Sequence, residues 1–338
     1  MADNVQFHSH SGHTAYHDLR RLLMDAALSE IRGTPVRVAR KGRHFWYDKY
    51  RIGNEMRQRY IGPETDELLA RLERRDRLNA DHKALQQERT RLIRILRAHN
   101  YTSIDRGTGS LLAAFARCGV FRLGGTLVGA VAFQHYEGEL GVVLDFERTA
   151  RTGDIDIASF ERLSFAIGDN VETPLEDVFR DLKFQPVPSL DRGQVWRWRQ
   201  TNGSVLVEFL MPAQGEEGIR RLPALGVSAR ALRHLDYLLE DPVPAASLYR
   251  SGVLVQIPRP ERFAIHKLIV AERRGHGTES LKAIKDRAQA NFLIAALAET
   301  RPDELRQAYD DAMDRGPGWR RRIAASLNKL PAARKHLP

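Results

Sequence analysis

Arg151-Thr152-Gly153-Asp154-Ile155-Asp156-Ile157-Ala158 alternates acid with isoleucine after a glycine. A period of two reads as a β-strand, with both carboxylates on one face and both isoleucines on the other. Carboxylates side by side repel each other unless a cation sits between them, and oxygen donors of this kind suit Mg²⁺ or Mn²⁺. A two-metal site normally needs a third acid.

A candidate third acid lies downstream. Gln194–Gln200 and Val205–Leu210 flank Thr201-Asn202-Gly203-Ser204. Asn-Gly between two alternating runs is a strong hairpin signal. Glu208 stands alone among apolar residues on the returning strand, and an unpaired charge buried there is costly. Either it has a partner or a metal, or the strand lies at an edge with Glu208 facing water.

Upstream, Val120-Phe121-Arg122-Leu123 reads as a short strand running into Gly124-Gly125-Thr126. The helix-compatible stretch Leu127–His135 follows. Glycines at a strand-to-helix junction let the backbone approach a phosphate closely, and a helix N-terminus adds free amides and a positive dipole end. Gly-Gly-Thr also makes ordinary tight turns.

Taken together, Gly-Gly-Thr, Asp-Ile-Asp-Ile and an acid on a later strand resemble the DNA polymerase beta-like nucleotidyltransferase superfamily. The chain is closer still to a bacterial family with a nucleotidyltransferase fold, over roughly residues 105–290. The resemblance implies that Gly124, Gly125 and Thr126 hold a nucleoside triphosphate, and that Asp154 and Asp156 bind two Mg²⁺ (or Mn²⁺) ions. It implies that Glu208 shares the ion that activates an attacking hydroxyl. The interval from Gly125 to Asp154 is longer than is usual in the superfamily; a long helix and a strand-like Leu140–Leu144 account for part of it. Related toxin and phage-defence enzymes place a lysine and a Lys-Asp pair where this chain has Lys267, Lys285 and Asp286. These residues are therefore expected at the nucleotide, against the plainer reading of a solvated helix face with ordinary ion pairs. His266 beside them reads as packing at the helix edge.

The rest of the chain sets the context. Residues 14–31 form an amphipathic pattern, and His8, His10, His13 and His17 before and within it read as solvated rather than as a metal site. Between Val36 and Ile61, aromatics interleave with Arg37, Arg40, Lys41, Arg43, Lys49 and Arg51. With Trp46 these suit contact with nucleic acid by stacking and phosphate neutralisation; a small solvated sheet is the alternative. From Pro63 to Ala98 leucines recur on a charged background, predicting one long helix of about 50 Å, with a narrow seam suited to a homodimer contact through 64–98. A shorter helix is expected over 107–118. Beyond Pro260 four helices are expected, over 260–274, 278–299, 302–314 and 317–329.

The fold class is thus α+β: a nucleotidyltransferase-type mixed sheet core at 105–258, an N-terminal helical and basic region at 1–104 with short strands and the long helix, and a C-terminal helical bundle at 259–338. Fifty-three basic against 43 acidic residues give a net charge of +10, which favours a polyanionic partner. No apolar run of 18 residues and no secretory pattern occur, and the single cysteine, Cys118, excludes an internal disulfide; a cytoplasmic protein with no membrane contact is expected. The function that follows is metal-dependent transfer of a nucleotide from a triphosphate to an acceptor hydroxyl. RNA is the leading acceptor, a tRNA 3′ end in a toxin or defence setting among the candidates. Nucleotidylation of a protein or small molecule is one alternative, and a catalytically silent nucleic-acid-binding regulator is another.

Overall fold

The computed structural model describes residues 5–29, 34–40, 42–52, 55–80, 82–144, 154–158, 175–188, 194–201, 205–213, 215–222, 225–274 and 279–337. Its centre is a mixed sheet. β4 (Thr126–Val128) pairs antiparallel with β5 (Asp154–Ala158), and β5 pairs parallel with β8 (Leu206–Pro212). The other edge of β8 is shared. β7 (Arg197–Gln200) runs antiparallel along Leu206–Glu208, and β10 (Val227–Leu232) runs parallel along Leu210–Pro212. β6 (Phe184–Pro186) and β9 (Gly218–Leu222) close the two ends.

The alternation of β8 decides which face is core. Val207, Phe209 and Met211 are buried, whereas Leu206 and Glu208 are partly exposed. The buried side meets α4 (Arg106–Cys118) and α6 (Leu175–Asp181) through an aromatic cluster. Phe179 stacks on Trp198 at 4.6 Å between ring centroids, and Phe115 and Phe179 both meet Phe209. Each such side chain removed from water contributes about 1.5–3 kcal/mol. α4 is bounded locally: the Asp105 side chain accepts from the Thr108 amide at 3.0 Å, and Gly119 closes the helix at φ 84°. Its start falls one residue before the expected span and its end coincides with it.

The C-terminal helices follow the sequence breaks. α8 (Pro260–Arg273), α10 (Pro302–Asp314), α11 (Pro317–Leu327) and α12 (Pro331–Arg334) each begin on a proline, which has no amide to leave unpaired there; α9 (Glu279–Thr300) lies between the first two. One cluster of buried side chains runs from the sheet into these helices, from Leu111 through Phe209 to Leu337. β11 (Val243–Ser247) and β12 (Val253–Ile257) form a separate antiparallel pair beside it, with the short helix α7 (Leu235–Leu238) before them.

The N-terminal region has short strands where the alternation places them but lacks the single long helix that was expected. Helix α1 (His10–Ser29) is followed by a three-stranded antiparallel sheet, β1 (Thr34–Arg40), β2 (Arg43–Ile52) and β3 (Glu55–Pro63). Then, in place of one rod, come α2 (Asp66–Ala80) and α3 (His82–Ala98). Both pack on α1. Ser9 Oγ lies 2.9 Å from His99 Nδ1, while the Arg71 guanidinium reaches Met24 Sδ at 3.5 Å and Asp25 at 3.7 Å. A straight helix would place residues 71 and 99 about 42 Å apart, but their partners 24 and 9 are only about 22 Å apart along α1. The two helices are therefore not one rod. Leu92, Ile93 and Leu96 spend the α3 seam on Tyr16, Leu19 and Leu23 of the same chain.

Of the histidines, His10 is exposed as expected, but His8, His13 and His17 are partly buried against neighbours. His8 stacks on Tyr101 at 3.8 Å and approaches Glu137 at 3.1 Å with its side chain 5% exposed; His13 and His17 face each other at 3.0 Å. The cause is α5 (Gly129–Leu140), whose last turns bury Glu137 and Glu139. Glu139 accepts from Arg20 at 2.8 Å and Arg301 at 3.1 Å, so α1 and the start of α10 are both tied to α5. Residues 140–144 are not a strand: α5 ends at Leu140, Gly141 caps it, and Val142 makes a single bridge to Phe7. Cys118 is buried. No helix among the described residues is long and apolar enough to cross a membrane.

Candidate active site

The strand that opened the sequence reading is β5, and its register locates the site. Asp156 is flanked on one side by Val128 of β4 and on the other by Glu208 of β8; Asp154 is opposite Leu206. Neighbouring strands lie roughly 4.8 Å apart, so the three backbone positions 128, 156 and 208 form a row about 10 Å long across the sheet. Directly paired positions share a face. The positions of Asp154, Asp156 and Glu208 therefore belong to the face opposite the buried Val207 and Phe209. The side chains of Asp154 and Asp156 lie outside the described residues, as does the Asn202-Gly203-Ser204 turn.

Glu208 is partly exposed and has a cation beside it. Arg197, its register partner on β7, lies 3.8 Å away. The Arg197 guanidinium also stacks over Trp196 at 4.4 Å, and Arg230 approaches the same ring at 5.6 Å. The row of acids thus ends on a basic, aromatic border that the sequence reading did not single out. The signal was present in Trp196-Arg197-Trp198-Arg199, but only the pairing of β7 with β8 gives it meaning.

The glycine pair is placed differently from expectation. Residues 119–124 form turns and not a strand, and Gly124 and Gly125 precede β4 instead of following it. Gly125 is packed tightly: a Cβ there would come within 2.6 Å of Val120 Cγ1 and 2.7 Å of the Val120 carbonyl oxygen. Thr126 is buried and donates its hydroxyl to the Gly124 carbonyl at 3.1 Å. These residues shape the turn that launches β4.

The strand-to-helix junction comes four residues later, at Val128-Gly129-Ala130. Val128 ends β4 beside Asp156, Gly129 takes φ +70°, and α5 starts with no side-chain cap on its first amides. Sequence reasoning missed Gly129 because Thr126–Leu140 is continuously helix-compatible. The shift shortens the interval to Asp154 by four residues.

The remaining expected residues sort by element. Lys267 of α8 donates to Asp286 of α9 at 2.6 Å, and Arg274 donates to the other Asp286 oxygen at 2.6 Å. Lys267 and Asp286 are buried among helices and do not form a solvated face; Lys285 is partly exposed. His266 is buried, and burial with the neighbouring Lys267 pushes its pKa down to about 3. Of the basic sheet, Arg37 binds Glu64 through two nitrogens at 2.6 Å, and the Trp46 indole donates to the same carboxylate at 3.0 Å. Arg40, Arg43 and Lys49 are exposed; Lys41 and the Arg51 side chain lie outside the described residues. The sheet docks on the turn before β4, where Arg122 donates to the Tyr60 carbonyl at 2.8 Å. Among the described residues no group of three His, Cys, Asp or Glu side chains is arranged to hold a metal.

The family model for the nucleotidyltransferases matches residues 106–314, which is more than half of the chain. The chain belongs to the nucleotidyltransferase family. Its class of chemistry is the transfer of a nucleotidyl group, and a nucleoside triphosphate is the substrate this implies. The matched span begins at the first residue of α4, contains the whole row from Val128 to Glu208, and ends with α10; the basic sheet and helices α1 to α3 lie outside it. No curated protein and no solved structure matches the chain.

Proposed function

We propose that this nucleotidyltransferase moves NMP from an NTP to a hydroxyl of an RNA acceptor, with Asp154, Asp156 and Glu208 holding two Mg²⁺ or Mn²⁺ ions. One observation carries the reading: the register that sets Asp156 between the start of α5 and Glu208. Three carboxylates on neighbouring positions of one sheet face are a donor set suited to hard divalent ions. The uncapped amides after Gly129 then donate to the triphosphate oxygens, aided by the helix dipole. Arg197 keeps Glu208 aligned across β7 and β8 and balances its charge. When bound, the ions lower the pKa of the acceptor hydroxyl and offset charge on the leaving pyrophosphate. The acceptor oxygen bonds to the α-phosphorus as the bond to pyrophosphate breaks, the hydroxyl proton passing to solvent, and the protein contributes mainly by positioning.

RNA is favoured by the exposed Arg40, Arg43 and Lys49 on the sheet that docks beside β4, together with the +10 net charge. A tRNA 3′ end is the acceptor to which the toxin-type resemblance points. The seam that suggested a homodimer is covered by α1, so the reading needs no second copy.

Incubation with each labelled triphosphate, Mg²⁺ and total cellular RNA tests this. Label is expected on RNA, and Asp156→Asn and Glu208→Gln are expected to lower transfer by at least about a thousandfold while urea midpoints stay near wild type. Label on protein or on a small molecule would replace the acceptor. Full activity in either variant would remove the site, and salt-sensitive RNA binding without any label would favour a silent regulator.

A further inference from the structure

α9 carries an apolar stripe that nothing in the described fold covers. Its other side is buried: Ala290, Leu293, Ile294 and Leu297 join the core cluster, and Ala283 is buried as well. On the opposite side Leu281 is 72% and Ile284 is 58% exposed. They are the two most exposed large apolar side chains among the described residues. The other two, Met56 and Phe7, stand apart from each other in sequence and in fold. Scattered exposed apolar residues are ordinary, whereas a neighbouring pair on one helix face is not.

The stripe continues into a groove. Positions 281, 284, 288 and 291 follow steps of three, four and three, the spacing of the seam in a pair of packed helices. Ile284, Ala288 and Asn291 form one wall, and Leu330, Pro331 and Ala332 form the other, around an open volume of about 400 Å³. Small residues at 288 and 332 leave room for a partner's larger side chains.

The border of the groove is basic. Arg287 and Lys329 flank it and share the single carboxylate of Glu272, at 3.3 and 2.8 Å. Lys282 is exposed on α9, and Arg334 and Lys335 are exposed just beyond the second wall. Asp286, also on α9, is buried and turned to Lys267 and Arg274.

From these observations we infer that the α9 stripe and the groove beside α12 dock an acidic amphipathic helix of a partner protein, apolar residues in the seam and carboxylates along its edges. Two copies of this face would bring like charges together, which opposes self-association. The heptad-spaced aliphatic seam, without an exposed aromatic, suits a helix better than the stacked bases of RNA. The surface is separate from the β5 to β8 row, so it stands or falls apart from the proposed reaction.

The test uses the full chain and three labelled probes. One is a synthetic helix with Leu and Ile at the seam and Glu on both edges, the second has the same seam with Lys on the edges, and the third is a single-stranded RNA. Anisotropy is expected to show saturable, salt-sensitive binding of the Glu-edged helix and none of the Lys-edged one. Leu281→Gln with Ile284→Gln is expected to weaken that binding by about tenfold or more, with an unchanged Tm because both side chains face water. Failure of the Glu-edged helix to bind, equal binding of both helices, or indifference to the double substitution would overturn the inference. So would displacement of the helix by a second copy, seen as a dimer that the double variant dissociates. RNA binding that the double variant abolishes would reassign the surface to nucleic acid.

Discussion

Two glycine substitutions four residues apart separate a structural turn from a phosphate-binding one. In Gly125→Ala the new methyl would lie 2.6 Å from Val120 Cγ1 and 2.7 Å from the Val120 carbonyl oxygen, about 0.8 Å inside ordinary contact. Neither neighbour yields readily. Val120 is fully buried and β-branched, and its carbonyl accepts the Gly125 amide at 2.9 Å, so relief means opening the turn. Overpacking of this size costs about 1–3 kcal/mol, and loss of the hydrogen bond adds about 1 kcal/mol. A total near 3 kcal/mol lowers the urea midpoint by about 1 M or somewhat less, since m is large for a chain of this length. Gly129→Ala meets a different cost. Its φ of +70° is left-handed, so alanine loses only about 1–2 kcal/mol, but the methyl stands at the first turn of α5 where the triphosphate is proposed to bind. Urea titration by tryptophan fluorescence and calorimetric titration with a non-hydrolysable triphosphate and Mg²⁺ read the two effects separately. Gly125→Ala is expected to lose stability and keep its affinity, while Gly129→Ala keeps most of its stability and binds at least about tenfold more weakly. A wild-type affinity in Gly129→Ala, or a Gly125→Ala protein with normal stability and lost affinity, would refute the placement.

Acid is expected to destabilise the fold through two buried histidines. Burial pushes His135 to about 4 and His266 to about 3, from an ordinary 6.5. Between pH 6.5 and about 4 the unfolded chain takes up protons that the folded chain refuses, so stability falls with pH, by about 2 kcal/mol per ring from pH 7 to 5. Equal urea midpoints at those two pH values would contradict it. Glu139→Ala should cost about 3 kcal/mol, because it strands Arg20 and leaves Arg301 with Glu261 alone at 3.5 Å, and unfolding calorimetry would show it. Replacing Arg43 and Lys49 together by Glu should weaken RNA binding across sequences and lower the salt slope by about 2; an unchanged slope would place the RNA elsewhere.

How much of this was legible in the sequence depends on how local each signal is. The β5 strand, the β7–β8 pairing, the bounds of α4 and the proline-led helices after residue 258 all follow from periodicity and from residues that cap or break. Asp-Ile-Asp-Ile needs only its own alternation to be read. The helix α5 does not announce its start, since Val128-Gly129-Ala130 has neither a capping side chain nor a change of hydropathy. Only the pairing of β4 with β5 ends the strand there.

The sequence by itself therefore determined the fold class, the family and the three acids proposed for the site, because each is written in a short pattern of alternation or spacing. Tertiary structure decided what those residues meet. Register, a property of two strands together, set Asp156 between Val128 and Glu208 and Arg197 beside Glu208. Burial decided the fate of the histidines and of the long-helix leucines: Glu137 stands 129 positions from His8, and α1 claims the α3 seam that otherwise invites a second copy. No pattern within a window of twenty residues carries that information, because desolvation and charge pairing act between segments that the chain brings together only when it folds.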